Sequence, residues 1–189
     1  MGRPSSAAVP AATMSAMSDR PLWHEAAAFA GREHGDQRRR DGLTPYAVHP
    51  CRVAVIVAAV YGVTDETTLA AAFLHDLIED CPTDYEDIAE RFGADVADIV
   101  AALTKDMRVP EAEREARYDE QLRDGPSAAR LIKLADVYDN LVDTESDSAR
   151  RTCLRRVERA LAIADADPAL ASACERLRQL VLETVPGTA

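Results

Sequence analysis

Apolar and polar residues alternate at helical rather than strand spacing along nearly all of the chain after residue 20. Pro21 sits where a first helical turn tolerates it, and the Ala-rich run from Trp23 to His34 ends at Gly35, a stop signal. Residues Asp36 to Val48 read as a loop, with a basic turn, Arg38-Arg39-Arg40-Asp41-Gly42, followed by Thr44-Pro45-Tyr46. Pro50 opens a second helix that runs to Tyr61 and is closed by Gly62. A third, capped by Thr64 or Asp65, continues to the residue before Pro82. Thr83 with Glu86 predicts a capping box for a short helix ending at Gly93. From Ala94 to Lys105 the residues Val96, Ile99, Val100 and Leu103 share one face. Pro110 to Arg123 predicts a strongly charged helix facing solvent. Ser127 begins another, with the stripe Leu131, Leu134, Ala135, Tyr138, Leu141 and Val142, and two more cover Ala149–Ala164 and Pro168–Val185. Strand-like alternation and internal repeats are missing from this pattern. The expected class is all-α, a bundle of about eight to ten helices.

Polar residues enter the apolar pattern at four places. The first is Phe73-Leu74-His75-Asp76-Leu77-Ile78-Glu79-Asp80, directly after the uncharged run Leu69–Leu74. Burying ionised groups in such a helix costs several kcal/mol each unless something compensates, and a divalent cation does so. His75 and Glu79 are one turn apart and would point one way. Asp76 and Asp80 are likewise one turn apart, about 100° around the same helix. The second place is Thr44-Pro45-Tyr46 with His49-Pro50, where the proline fixes the backbone beside His49. The third is Lys133-Leu134-Ala135-Asp136 with Asn140, in which Asp136 and Asn140 share a face and Lys133 can pair with Asp136. The fourth is Arg38-Arg39-Arg40, able to hold phosphates through forked guanidinium contacts or simply to be a solvated loop. Two histidines and two aspartates without a thiolate make a mixed nitrogen and oxygen site, suited to Mn, Fe(II), Co, Ni or Zn.

Composition narrows the partners. A net charge of −11 argues against a nucleic-acid surface, while a local basic cluster can still admit a phosphorylated small molecule. Cys51, Cys81, Cys153 and Cys174 are widely spaced, so neither a thiolate zinc site nor a disulfide framework is expected, and a reducing cytoplasm is the default. Cys51 and Cys81 read as small core or boundary residues. Residues 1–18 lack the apolar core of a signal peptide and read as a disordered tail before a single domain, 19–189. No run approaches the roughly 20 apolar residues of a membrane span.

The polar words, taken in order, resemble the hydrolase domain of the RelA/SpoT alarmone enzymes within the HD phosphohydrolase superfamily, and in particular its small stand-alone hydrolases. They are Ala30-Gly31-Arg32-Glu33-His34-Gly35-Asp36-Gln37-Arg38-Arg39, Thr44-Pro45-Tyr46 with His49-Pro50, His75-Asp76-Leu77-Ile78-Glu79-Asp80, Phe92-Gly93, Leu103-Thr104-Lys105, and Lys133-Leu134-Ala135-Asp136 with Asn140-Leu141. The match is close over residues 22 to 145 and loose beyond. It implies an HD-domain helical bundle in which His49, His75, Asp76 and Asp136 bind one Mn(II). Glu79 and Asp80 match the pair that activates and orients water, with His34 behind the ligands. Asn140 matches a contact to substrate ribose or phosphate, and Arg39 and Arg40 fall where the family grips the nucleotide. Where relatives often carry a lysine this chain has Met107, with Lys105 and Arg108 as substitutes. The implied reaction removes the 3′-pyrophosphate of (p)ppGpp. The rivals are hydrolysis of another phosphorylated nucleotide, such as an adenosine alarmone or NADPH, and alarmone sensing without turnover. A small nucleotide is the expected partner, without nucleic acid or membrane, and homo-oligomerisation stays open.

Overall fold

A computed structural model describes residues 20–184, so the expectation of a disordered tail at 1–18 lies outside the described residues. The helices are α1 (Leu22–His34), α2 (Val48–Val55), α3 (Glu66–Leu74), α4 (Leu77–Asp80), α5 (Tyr85–Phe92), α6 (Ala94–Leu103), α7 (Glu111–Asp124), α8 (Ser127–Val142), α9 (Asp147–Ala164) and α10 (Ala171–Thr184). Among the described residues the only β-type pairing is an isolated bridge between Arg38 and Pro45, and no helix is long and apolar enough to cross a membrane. The all-α expectation holds.

The centre of the bundle is α3. Its Ala70, Ala71, Ala72 and Leu74 are all fully buried, and small side chains let α1, α2, α6 and α8 approach it closely. Around it, Val53, Val57, Leu77, Val100, Ile132 and Leu134 are also fully buried. Each such aliphatic side chain contributes roughly 1.5–3 kcal/mol by leaving water. That rigid framework presents the first turn of α2, the end of α3 and the middle of α8 to a common point.

Local chemistry departs from the sequence reading at five places. The second helix begins at Val48 rather than Pro50 and ends in a π-helical turn, Ile56–Val60, before Gly62 reverses the chain at φ 75°. The third helix does not run through to Pro82. It breaks at His75 and Asp76, and α4 is a separate single turn. The capping box of α5 is built by Asp84 and Asp87, while Thr83 is buried and its hydroxyl faces Glu33 at 3.4 Å. The charged helix α7 is not wholly solvent-facing, since Tyr118 and Leu122 are buried. Cys51 is exposed rather than a boundary residue, and all four cysteines are free.

The loop from residue 35 to 47 owes its shape to short-range bonds. Arg39 N–H donates to Thr44 O at 2.8 Å, and Tyr46 N–H donates to Gln37 O at 2.9 Å. The Asp41 carboxylate accepts from the Thr44 hydroxyl and from the N–H groups of Thr44 and Leu43, which hold its pKa down to about 2. Asp41 is therefore committed to its own turn and not to the neighbouring arginines.

Candidate active site

Four side chains from three segments converge. His49 lies in the first turn of α2, Asp136 faces it from the middle of α8, and His75 and Asp76 occupy the break between α3 and α4. The break matters because adjacent residues in a continuous helix diverge by about 100°. With Asp76 at φ −97° and ψ −5°, both His75 and Asp76 reach the same point. Ligand atoms of His49, His75 and Asp136 lie within 4.8 Å of one another. His49 Nε2 is 3.3 Å from Asp136 Oδ1 and 3.5 Å from Asp76 Oδ2, and His75 Nε2 is 3.1 Å from Asp76 Oδ1.

The hydrogen bonds behind the rings decide what the front can hold. A carbonyl only accepts, so His75 Nδ1 must donate to Ala72 O at 2.9 Å. That leaves Nε2 buried, without a hydrogen-bond partner among the described residues, and aimed among carboxylates. In the same way His49 Nδ1 donates to the buried Asp139 carboxylate at 2.8 Å, leaving its own Nε2 to face Asp136 and Asp76. Lone pairs facing carboxylate oxygens repel unless a cation or proton lies between them. Burial alone would depress His49, yet Asp136 and Asp139 override it and raise its pKa to about 9. The space between His49 Nε2 and these carboxylates is therefore one that a proton or a cation fits. The donor set of imidazole nitrogens and carboxylate oxygens, with each ring oriented by a partner behind it, fits a borderline divalent metal.

Asp136 is braced on both oxygens. Lys133 Nζ donates to Oδ2 at 2.7 Å and Asn140 Nδ2 to Oδ1. Burial works to raise Asp136, but Lys133 and His49 hold it well below the usual carboxylate range. Tyr46 reaches over from the loop, with its hydroxyl 2.8 Å from Asp76 Oδ2 and 2.9 Å from Asp80 Oδ2. Burial first, and those two carboxylates next, push the phenol far above its ordinary value, so it remains a donor.

These residues open onto a cavity of about 300 Å³, lined among others by Arg39, Arg40, Glu79, Asp80, Lys105 and Asn140. Burial raises the pKa of Glu79 from its ordinary value, and its Oε2 accepts the Lys105 N–H at 3.3 Å. Lys105 Nζ is paired with Glu115 at 2.7 Å. Arg39 is held by Asp143 at 3.0 Å and by Asn140 Oδ1 at 3.1 Å, so it latches the loop to the end of α8. Arg40 lines the cavity with no ion pair or hydrogen bond of its own among the described residues. Arg108 does not line it. That side chain is 91% exposed and clasps Asp106, which removes it from the predicted phosphate contacts.

The structure adds residues that sequence reasoning left without a role. Asp139 and Tyr46 brace the candidate ligands, beside Lys133, whose pairing with Asp136 was expected. Asp139 carried a usable signal, since it follows Asp136 by three residues and shares its face. Arg156 and Arg159 of α9 and Glu115 and Tyr118 of α7 also line the cavity, from helices whose motifs were weak or unmatched.

Residues 26–162 match the HD domain family. The chain belongs to that family. This HD domain is 44% identical over 127 residues to the guanosine-3′,5′-bis(diphosphate) 3′-pyrophosphohydrolase MESH1 of Xenopus tropicalis, covering 67% of this chain and 71% of that one. The human MESH1 is 43% identical over 120 residues, covering 63% and 67%. Among solved structures it resembles a metazoan ortholog of SpoT that hydrolyses ppGpp and plays a role in starvation responses. The TM-score there is 0.75 at 29% identity, covering 94% of this chain and 98% of that one.

Proposed function

We propose that this HD domain is a metal-dependent (p)ppGpp 3′-pyrophosphohydrolase, converting its substrate to GDP or GTP and pyrophosphate. One observation carries the reading: a cation-ready cluster opening onto a polyanion-sized cavity, in a chain similar to curated enzymes of that activity. His49, His75, Asp76 and Asp136 hold the metal, which is Mn(II) in this proposal. Lewis acidity at the scissile phosphoryl group and a lowered pKa for nearby water are what such a cation supplies.

The chain's own residues do the rest. Glu79, raised by burial, is suited to accept a proton from the attacking water as the bond from phosphorus to the 3′-oxygen breaks. Asp80, tethered by Tyr46, orients that water. Asn140, fixed between Asp136 and Arg39, presents its amide to the ribose or phosphate. Arg40 and Lys105 offset substrate charge in a protein of net charge −11. The same reading places the enzyme in the cytoplasm with its nucleotide.

The test is a panel of ppGpp, pppGpp, ppApp and NADPH incubated with metal-stripped protein, with and without Mn(II), and resolved by anion exchange. ppGpp should yield GDP and pyrophosphate only when metal is added. Turnover of NADPH or ppApp alone would move the substrate assignment, and no turnover of any of the four would overturn it.

A further inference from the structure

The turn that carries Glu79 and Asp80 is short and needs an external hold. After Asp80 the chain extends at Cys81 (φ −129°, ψ 168°), so no following helical N–H reaches the Asp80 carbonyl. Gln37, from the loop after α1, fills that role. Its Nε2 donates to Asp80 O at 2.9 Å, while its Oε1 lies 2.9 Å from Nδ1 of His34, a residue only 1% exposed. The Gln37 carbonyl also accepts the Tyr46 N–H at 2.9 Å, and the His34 and Tyr46 rings stack at 4.7 Å. Tyr46 in turn hydrogen-bonds Asp80. The end of α1, the loop and α4 are thereby joined by one chain of bonds that ends on the turn bearing both carboxylates.

Donor and acceptor chemistry fixes every member of this chain. A carbonyl oxygen only accepts, so the amide nitrogen of Gln37 must face Asp80, and its oxygen must face His34. That oxygen also only accepts, so His34 Nδ1 carries the hydrogen. His34 Nε2 is buried and makes no hydrogen bond among the described residues, so the hydrogen that this chain of bonds uses is the one on Nδ1.

We propose that His34 and Gln37 are positioning residues for the water-activating turn, with His34 setting the orientation of the Gln37 amide and Gln37 holding the end of α4. The proposal rests on the roles given above to Glu79 and Asp80. It separates positioning from binding: neither residue lines the substrate cavity, and neither is hydrogen-bonded to His49, His75, Asp76 or Asp136 among the described residues, so their loss falls on turnover. Misplacing a catalytic group by about 1 Å can cost on the order of 100-fold in rate.

The experiment uses the full chain loaded with Mn(II) and assayed on ppGpp. Gln37→Leu should lower kcat on the order of 10- to 100-fold, with KM within about twofold and Mn(II) content unchanged. His34→Leu should do the same. His34→Asn, whose amide nitrogen can occupy the Nδ1 position, should recover most of the rate. The double variant His34→Leu/Gln37→Leu should be no worse than either single one. Wild-type kcat in Gln37→Leu, or equal losses in His34→Asn and His34→Leu, would overturn the proposal. If the leucine variants fail to fold, the nitrogen NMR spectrum of the metal-free wild type decides: a His34 whose Nδ1 carries no hydrogen would overturn it. Absence of ppGpp turnover in the wild type would instead sink the functional reading, and the NMR measurement would still judge the hydrogen-bond chain.

Discussion

Replacing Asp139 by Asn should weaken metal binding without touching any metal ligand. The carboxylate lies 2.8 Å from His49 Nδ1, is 4% exposed, and is the group that raises the electron density of the ring. Loss of such a partner costs about 10- to 100-fold in metal affinity, equivalent to about 1.4–2.7 kcal/mol. Asn retains an acceptor for the Nδ1–H, so ring orientation survives and the loss should fall at the tenfold end. Asp139→Ala strands that buried N–H, which costs roughly another 1–3 kcal/mol, and should reach the other end. The fold should tolerate both changes. Arg39 and Arg52 approach Asp139 only at 3.9 and 3.8 Å, and each has a closer partner in Asp143, at 3.0 and 2.8 Å. The assay is calorimetric titration of Mn(II) into chelator-stripped protein, with a thermal melt of each variant. If Asp139→Asn and Asp139→Ala both keep the wild-type Kd while His49→Ala loses binding, the carboxylate does not tune the site and the reasoning fails.

Other expectations follow from the same geometry. Glu79→Gln should keep metal and substrate but lose kcat by about 100-fold, and loss of metal from this variant by elemental analysis would make Glu79 a ligand instead. Arg40→Ala should raise KM for ppGpp with an unchanged melting temperature. Arg39→Ala should also cost on the order of 1 kcal/mol of stability by urea denaturation, because it unlatches the loop from Asp143 and Asn140. In the metal-free protein His49, raised to about 9, contributes stability that is fully present below its ordinary value near 6.5 and is lost as pH rises from there through 9. Urea titrations of stripped protein across that window should show the decline, and His49→Gln should flatten it.

The helices and the convergence of the candidate ligands were legible because each rests on local signals. Gly35, Gly62 and Gly93 stop helices, and His49, His75, Asp76 and Asp136 are polar residues at positions an apolar core would otherwise fill. What escaped depends on tertiary context. Nothing in Leu74-His75-Asp76-Leu77 marks a helix break, since all four residues accept helical geometry. The break shows only in the folded chain, where His75 and Asp76 turn toward one point. Thr83 and Asp84 are both competent caps, and Thr83 was withdrawn by burial beside Glu33. Arg39 and Arg40 are equivalent in sequence, yet Asp143, distant along the chain, claims only one of them. Position alone makes Arg108 a substitute for a lysine, but Asp106 two residues away captures it on the outer surface.

The four proposed ligands come from three stretches that lie far apart in the chain, at 49, 75–76 and 136, so no single stretch of the unfolded polypeptide can assemble them. A cation held by all four acts as a cross-link that exists only in the native state. It ties the first turn of α2 to the middle of α8 as a staple would, but reversibly and under control of the free metal concentration. At 100 times its Kd, such a ligand adds about 2.7 kcal/mol to the folding equilibrium. Metal scarcity would then reach this protein twice, once through its chemistry and again through its lifetime, as the loosened chain meets proteases more often.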